Sequence, residues 1–137
     1  MLKKILCAVD GTEHGDRSVV YAAKLSVLSG ATLTICTVNQ LASGLRGPPV
    51  YMHGSNEIKA ILAKAVAIAR ANGAKVVKDI ELDSRNVPEA IISYASENDF
   101  DHIVTGTGDK KGIPRILLGS VAGHVAGSAN CPGTIVR

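Results

Sequence analysis

The residues best suited to chemistry form a glycine-rich segment, Gly106-Thr107-Gly108-Asp109, which is followed further along the chain by Gly119-Ser120. A strand-like apolar run at 101–105 precedes this segment, and an Ala/Val-rich stretch typical of a helix follows it. Glycines allow a backbone to approach a ligand closely, and the free N–H groups at the start of a helix attract anions. The spacing matches neither a Walker A loop nor the GxGxxG fingerprint. The pattern predicts a phosphate-binding turn between a buried strand and a helix.

Other reactive side chains form no pattern that indicates catalysis or metal binding. Ser120 is not part of a Gly-x-Ser-x-Gly turn, so a nucleophilic serine is not expected. His14, His53, His102 and His124 are scattered without ligand-like spacing, and no pair of carboxylates is positioned for hydrolysis. We therefore predict no catalytic residue and no metal site.

The cysteines indicate a reducing compartment. There are three of them without a CxxC spacing, so neither a disulfide framework nor a zinc site is indicated. Cys7 and Cys36 lie inside predicted buried strands, where cysteine acts as a small hydrophobic residue, and Cys131 precedes the last strand. The N-terminus passes directly into a strand without the pattern of a signal peptide. We expect a cytoplasmic protein.

Length and composition favour one domain with an aliphatic core. The chain has 137 residues, of which 46% are hydrophobic and only 3% aromatic, a composition that suits a parallel sheet covered by helices. The net charge of +3 comes without a basic tract interleaved with aromatic residues, so nucleic-acid binding is not expected. No apolar run reaches the roughly 20 residues of a membrane span, so no membrane partner is expected either.

Hydrophobic periodicity predicts alternating strands and helices. Strands are predicted at 4–9, 31–38, 76–82, 101–105 and 133–137, helices at about 13–29, 57–72, 88–98 and 120–129, and a long loop at 39–56. Val20, Ala23 and Val27 are predicted to form the inner face of the first helix. On the last helix, Gly123 and Gly127 predict either tight packing on the sheet or the close approach of a ligand or partner.

The alternation implies right-handed crossovers and a parallel sheet, and therefore an α/β fold. Ligands of such sheets bind outside the carboxyl ends of the strands, where the strand order reverses. Asp10, Val38 and Gly106 follow or end three of the predicted strands. Three separate parts of the sequence are therefore expected to meet at one rim of the sheet.

The chain resembles the universal stress protein family over essentially its whole length, and the resemblance is carried by both ends of the chain and by the glycine-rich segment. The opening run that ends in Asp10-Gly11-Thr12 is similar to that family's first strand and turn, and the ending that starts at Cys131 resembles its Cys-Pro-Val-x-Val-Val terminus. The nucleotide-binding branch carries Gly-x-x-Gly-x9-Gly-(Ser/Thr). Gly106, Gly119 and Ser120 match this motif, and Asp109 replaces its second glycine.

The resemblance implies one universal stress protein domain over residues 1–137. Its fold is a three-layer α/β/α sandwich with a five-stranded parallel sheet of order 3-2-1-4-5, of the adenine nucleotide alpha hydrolase-like type. It also implies a homodimer, and the apolar edge at 133–137 is the expected contact because an uncovered sheet edge invites pairing.

The resemblance further implies an adenine nucleotide, ATP or AMP, with or without Mg²⁺. Asp10 would bond the ribose or adenine side, Val38 would present its backbone to the adenine edge, and the start of the last helix would donate to phosphate oxygens. Ser120 would also act as the N-cap of that helix. The implied nucleotide-binding residues are Ala8, Val9, Asp10, Val38, Thr105, Gly106, Gly108, Asp109, Gly119, Ser120, Val121 and Ala122.

Asp109 leaves two alternatives, which the substitution Asp109→Gly separates. If the carboxylate faces the phosphates, the substitution should tighten ATP more than AMP, by roughly 5–30-fold, because repulsion grows with phosphate charge. If Asp109 instead binds Mg²⁺ or pairs with Lys110, Lys111 or Arg115, the substitution should weaken ATP. Titrating both nucleotides with and without Mg²⁺ distinguishes the two cases, and equal affinities throughout would show that Asp109 faces solvent.

Three functions remain open from the sequence. The first is a small stress-response regulator that binds ATP or AMP and changes its contacts with a protein partner. The second is a homodimeric interaction module that has lost nucleotide binding, with Asp109 marking the loss. The third, an enzyme such as an ATPase, is the weakest, because phosphoryl transfer needs a positioned base and the sequence identifies none.

Overall fold

The structure is a computed structural model that describes residues 1–42, 48, 50–108 and 118–137. Asp109, with its alternative roles, therefore lies outside the described residues. No helix in the described ranges combines the length and apolar character that crossing a bilayer requires. The elements are β1 (Lys4–Ala8), α1 (Glu13–Ser29), β2 (Thr32–Ala42), β3 (Val50–Tyr51), α2 (Ser55–Ala71), β4 (Val77–Ser84), α3 (Val87–Glu97), β5 (His102–Gly106), α4 (Ser120–Ser128) and β6 (Gly133–Val136).

The sheet has the predicted architecture with one small addition. Its parallel strands follow the order β4-β2-β1-β5-β6, which is 3-2-1-4-5 when the parallel strands alone are numbered. The two-residue β3 adds an antiparallel pair at the end of β2, where Leu41 lies opposite Tyr51. The prediction of a single-domain α/β fold with a 3-2-1-4-5 sheet is confirmed, and the sheet is mixed because of β3.

The predicted loop at 39–56 is shorter than the sequence indicates. β2 continues through Ala42, and its register with β4 extends to the pair Gln40 and Ser84. Backbone pairing on both sides satisfies the polar groups of this extension, because β3 covers the other edge with a hydrogen bond from Met52 N–H to the Gln40 carbonyl (2.9 Å). Because the end of β2 carries polar side chains, the sequence pattern predicted a loop there instead of a continued strand.

Both faces of the sheet are covered, which explains the continuous apolar strands. On one face, Ile5 and Ile35 pack against α1 and α2. On the other, Leu6 and Cys36 pack against α3 and α4. Successive strand residues point to opposite faces, so a strand buried on both sides has no polar alternation. The result is the predicted three-layer sandwich.

The inner face predicted for α1 is wrong in part. Ala23 is buried, but Val20 is only half-buried and Val27 is 56% exposed. The helix instead buries a stripe that includes Ser18 and Ser26. Each hydroxyl donates to a carbonyl one turn earlier in its own helix, at 2.7 Å. These internal hydrogen bonds allow serine to occupy core positions. The apolar pattern therefore predicted a buried face that is rotated about the helix axis from the observed one.

Burial should make two of the three thiols unreactive in the folded protein. Cys7 and Cys36 are completely buried, and burial raises the pKa of the Cys7 thiol to about 12 and also raises the pKa of the Cys36 thiol. The thiolate is the reactive form. We expect Ellman's reagent at about pH 8 to modify Cys131 alone in the native state and all three thiols in denaturant. Fast modification of a second native thiol would contradict this expectation.

Candidate functional site

A cavity of about 340 Å³ opens at the carboxyl ends of the parallel strands. The last residues of β1 and β5, the start of α4 and the residues around β2 and β3 form its walls. The structure brings together every described residue that was predicted for the site, and each of them lines this cavity: Ala8, Val9, Asp10, Val38, Thr105, Gly106, Gly108, Gly119, Ser120, Val121 and Ala122.

The cavity has two chemically different ends. Because β1 lies between β2 and β5, Val38 and Gly106 are on opposite sides of Asp10. Neighbouring strands are roughly 4.8 Å apart, so these two sides are separated by about 10 Å. The side next to β2 combines apolar residues such as Met52 and Ile61 with polar residues such as Gln40 and His53. The side next to β5 consists mainly of glycine backbone and the first turn of α4.

The glycines at the β5 side allow parts of the chain to approach each other. A Cβ atom on Gly106 would lie 3.0 Å from the carbonyl oxygen of His14, and one on Gly119 would lie 2.6 Å from the carbonyl oxygen of Thr107. That same Thr107 carbonyl accepts a hydrogen bond from the Gly119 N–H (2.8 Å). Gly108 has a φ of +85°, which favours glycine. The glycine pattern predicted contact with a ligand, and the structure shows an additional role of these glycines within the chain.

The N-terminus of α4 faces the cavity. Gly119 is the N-cap residue, and none of the described side chains makes a capping hydrogen bond there. The prediction that Ser120 is the N-cap is therefore wrong, because Ser120 is the first residue inside the helix. The first N–H groups of a helix have no partner within it and form a positive end. Ser120, Val121 and Ala122 belong to this turn and line the cavity, so the arrangement can accept an anion.

Asp10 connects the end of β1 to the start of α1. Its Oδ1 atom accepts hydrogen bonds from the Thr12 N–H (3.0 Å) and the Thr12 hydroxyl (2.6 Å). Thr12 in turn caps α1 by accepting from the Gly15 N–H at 3.4 Å. Asp10 is therefore a turn residue, and because it is exposed and lines the cavity, a carboxylate oxygen can also face a ligand.

A polar cluster at the β2 side was not predicted. The Asn39 side chain, only 4% exposed, donates to the His53 carbonyl (3.0 Å) and accepts from the His53 N–H (3.1 Å). The Nδ1 atom of His53 lies 2.8 Å from Oε1 of Glu57 on the first turn of α2. These bonds fix the backbone and the ring of His53 at the edge of the cavity.

Sequence reasoning missed the remaining lining residues, which are Thr12, His14, Gly15, Cys36, Thr37, Gln40, Met52, His53, Ile61, Val87, Ile91 and Thr107. Those close to Asp10 or Gly106 in the sequence could have been predicted, because residues adjacent in the chain to a rim residue also lie near the rim. Met52 and His53 carry no local signal, since the pairing of β3 with β2 places them. Within the described ranges, no cluster of three His, Cys, Asp or Glu residues is arranged to hold a metal ion.

Known proteins are similar to this chain in both sequence and fold. One curated relative is a universal stress protein from Thermus aquaticus, described as lying in the QAH/OAS sulfhydrylase 3′ region. It is 28% identical over 137 residues, and the match covers 100% of both chains. The solved structure of the universal stress protein from Archaeoglobus fulgidus in complex with dAMP is 29% identical, with a TM-score of 0.73 and full coverage of both chains.

A second solved structure, of a universal stress protein in complex with cAMP, is 26% identical with a TM-score of 0.78. The match covers 99% of this chain and 97% of the other. The sequence model of the universal stress protein family matches residues 1–137. On the strength of this full-length match and of the shared fold, the chain belongs to the universal stress protein family.

Proposed function

We propose that this protein binds an adenine nucleotide in the cavity at the rim of its sheet and acts in the cytoplasm as a stress-response regulator. The observation that carries the proposal is that one cavity has apolar side chains at one end, among them Val38, Met52 and Ile61, and a helix N-terminus at the other. A nucleotide has the matching halves, a flat base and an anionic phosphate. The dAMP and cAMP complexes of similar proteins support the same ligand class.

The two ends of the cavity give each part of the nucleotide a place. The base lies at the β2 side, where the Val38 backbone meets its edge. Asp10 accepts hydrogen bonds from the ribose, while Ala8, Val9 and Thr105 form the wall below it. The phosphate lies against Gly106, Gly108 and the first turn of α4, where backbone N–H groups attract it. The Ser120 hydroxyl adds a further donor.

Calorimetry with AMP, ATP and adenosine tests the proposal. We expect AMP to bind at least tenfold more tightly than adenosine, because charge-assisted hydrogen bonds at the helix start contribute roughly 1.5–3 kcal/mol. Denaturation of the purified protein should also release a co-purified adenine nucleotide, which mass spectrometry can detect. Absence of binding by AMP, ADP and ATP at millimolar concentration would contradict the proposal and favour an interaction module without nucleotide.

Nucleotide binding without turnover is the role that we propose for this site. The regulatory output would be a change in contact with a protein partner when the nucleotide binds. AMP affinity is expected to be unchanged by Mg²⁺, whereas ATP affinity can depend on the ion because a triphosphate chelates it. Sustained ATP hydrolysis at a rate typical of enzymes would contradict a purely binding role.

We also propose a homodimer through β6 at the edge of the sheet. The Val136 and Pro132 carbonyls accept hydrogen bonds from β5 and its continuation, so the backbone groups of the alternate residues Gly133 and Ile135 point away from the sheet. Such an edge can pair with a second copy around a two-fold axis. Light scattering should give twice the 14.2 kDa of one chain, and a monomeric mass at micromolar concentration would contradict the dimer.

A further inference from the structure

His53 is a polar residue at the base end of the cavity, the end next to β2. Its backbone carbonyl accepts a hydrogen bond from the Asn39 amide (3.0 Å), and its N–H donates one to the Asn39 side-chain oxygen (3.1 Å). Asn39 is itself almost fully buried at 4% exposure, so it has little freedom to move. Residue 53 therefore keeps a fixed position next to the end of β2, although it lies in the short connection between β3 and α2.

The ring of His53 is oriented as well as positioned. Its Nδ1 atom lies 2.8 Å from a carboxylate oxygen of Glu57. An ionised carboxylate only accepts hydrogen bonds, so the ring nitrogen facing it must carry the proton. In a neutral imidazole the other nitrogen, Nε2, is then an acceptor. A carboxylate partner fixes the tautomer of metal-binding histidines in the same way.

An acceptor on His53 would complement one feature of an adenine base. His53 lines the cavity on the β2 side together with Val38 and Met52, away from the helix start that suits a phosphate. Adenine carries an exocyclic amino group, which donates, where hypoxanthine carries a carbonyl oxygen, which accepts. We propose that Nε2 of His53 accepts a hydrogen bond from the adenine amino group and makes the site selective for adenine over hypoxanthine. This inference rests on the proposed function.

The discrimination follows from the mismatch that hypoxanthine would create. Two acceptors that face each other repel, and the hydrogen bond that the adenine amino group donates is lost. Glu57 acts as a positioning residue, because it sets which ring nitrogen carries the proton without touching the base. His53 and Glu57 are partly exposed, so the effect should be at the lower end for a hydrogen-bond mismatch.

The test compares AMP with IMP, which share the ribose and the phosphate and differ at the base. The affinities of both nucleotides are measured by calorimetry under the same conditions for every variant. We expect the wild type to bind IMP about 10-fold more weakly than AMP. His53→Phe keeps a flat ring without nitrogens, so AMP should weaken about 10-fold and the two affinities should become equal.

Two further variants separate the tautomer from general effects. In Glu57→Gln the side-chain amide can donate or accept, so His53 is present but its proton is no longer fixed, and the ratio of AMP to IMP affinity should fall severalfold. Glu97→Gln is the matched control, because Glu97 is exposed at the end of α3 and does not line the cavity. It should keep the wild-type ratio. Thermal melts confirm that each variant is folded.

Each outcome decides the inference. Tight AMP binding with equal IMP binding by the wild type would overturn the role of His53 and leave the proposed nucleotide site intact. Wild-type selectivity that persists in folded His53→Phe would overturn it in the same way. No binding of either nucleotide would overturn the inference together with the proposed function. Loss of the ratio in His53→Phe and its reduction in Glu57→Gln would support it.

Discussion

Replacing Gly119 by alanine should lower the free energy of unfolding by about 1–3 kcal/mol, the usual cost of forcing extra volume into a packed place. The new Cβ atom would lie 2.6 Å from the carbonyl oxygen of Thr107, a backbone atom that cannot rotate away. The same carbonyl accepts the Gly119 N–H, so relief of the clash moves the N-terminus of α4. AMP binding should therefore weaken more than adenosine binding, as calorimetry and chemical denaturation can measure.

Gly123→Ala on the same helix is the matched control. A Cβ atom at Gly123 meets no described residue within 4 Å, and alanine is a better helix former than glycine by about 0.5–1 kcal/mol. This variant should be more stable than the wild type and should bind AMP with unchanged affinity. Equal losses in the two variants would show that the contact between Gly119 and Thr107 does not determine the shape of the site.

The fold could be predicted because it depends on a repeated pattern. Continuous apolar strands that alternate with helices define a parallel sheet, and the carboxyl ends of its strands must share one rim. Asp10, Val38 and Gly106 could be grouped from this rule alone, and the structure places all three around one cavity. The grouping needed no knowledge of side-chain contacts.

The β2 side of the cavity could not be predicted, because pairing between distant residues creates it. Asn39 and His53 are separated by the connection between β2 and β3, and neither belongs to a pattern that indicates contact. Only the short antiparallel pair of β2 and β3 brings them together. A polar residue at the end of a strand indicated a loop, whereas its side chain here completes the backbone pairing.

The glycines show a second limit of sequence reasoning. The pattern predicted that Gly106 and Gly119 allow a close approach to a ligand, and both line the cavity. The structure shows another close approach at each of them, to the backbone of His14 or Thr107, which the pattern did not indicate. For Gly123 and Gly127 the pattern predicted either tight packing or the close approach of a ligand or partner. Both face open space within the described structure, which contradicts tight packing alone. Glycine spacing alone does not distinguish a packed helix face from an exposed one.

Asp10→Asn should separate the structural role of Asp10 from its proposed contact with the ribose. An asparagine carbonyl oxygen can accept the two hydrogen bonds that Thr12 donates to Oδ1, so we expect a change of at most about 0.5 kcal/mol in unfolding. The second oxygen becomes an amide group, which donates where the carboxylate accepts. Ribose hydroxyls then lose an acceptor, and adenosine binding should weaken about 10-fold.

The analogue 2′,3′-dideoxyadenosine provides the other half of the comparison, because it lacks the hydroxyl groups that Asp10 would bind. Its affinity should be the same for the wild type and for Asp10→Asn, and Asp79→Asn on the exposed face of β4 should change neither ligand. Equal weakening of adenosine and the dideoxy analogue would contradict a contact with the ribose. Asp10 would then act only through Thr12 and the start of α1. A loss confined to adenosine would show that the Asp10 carboxylate both stabilises the turn between β1 and α1 and binds the ligand.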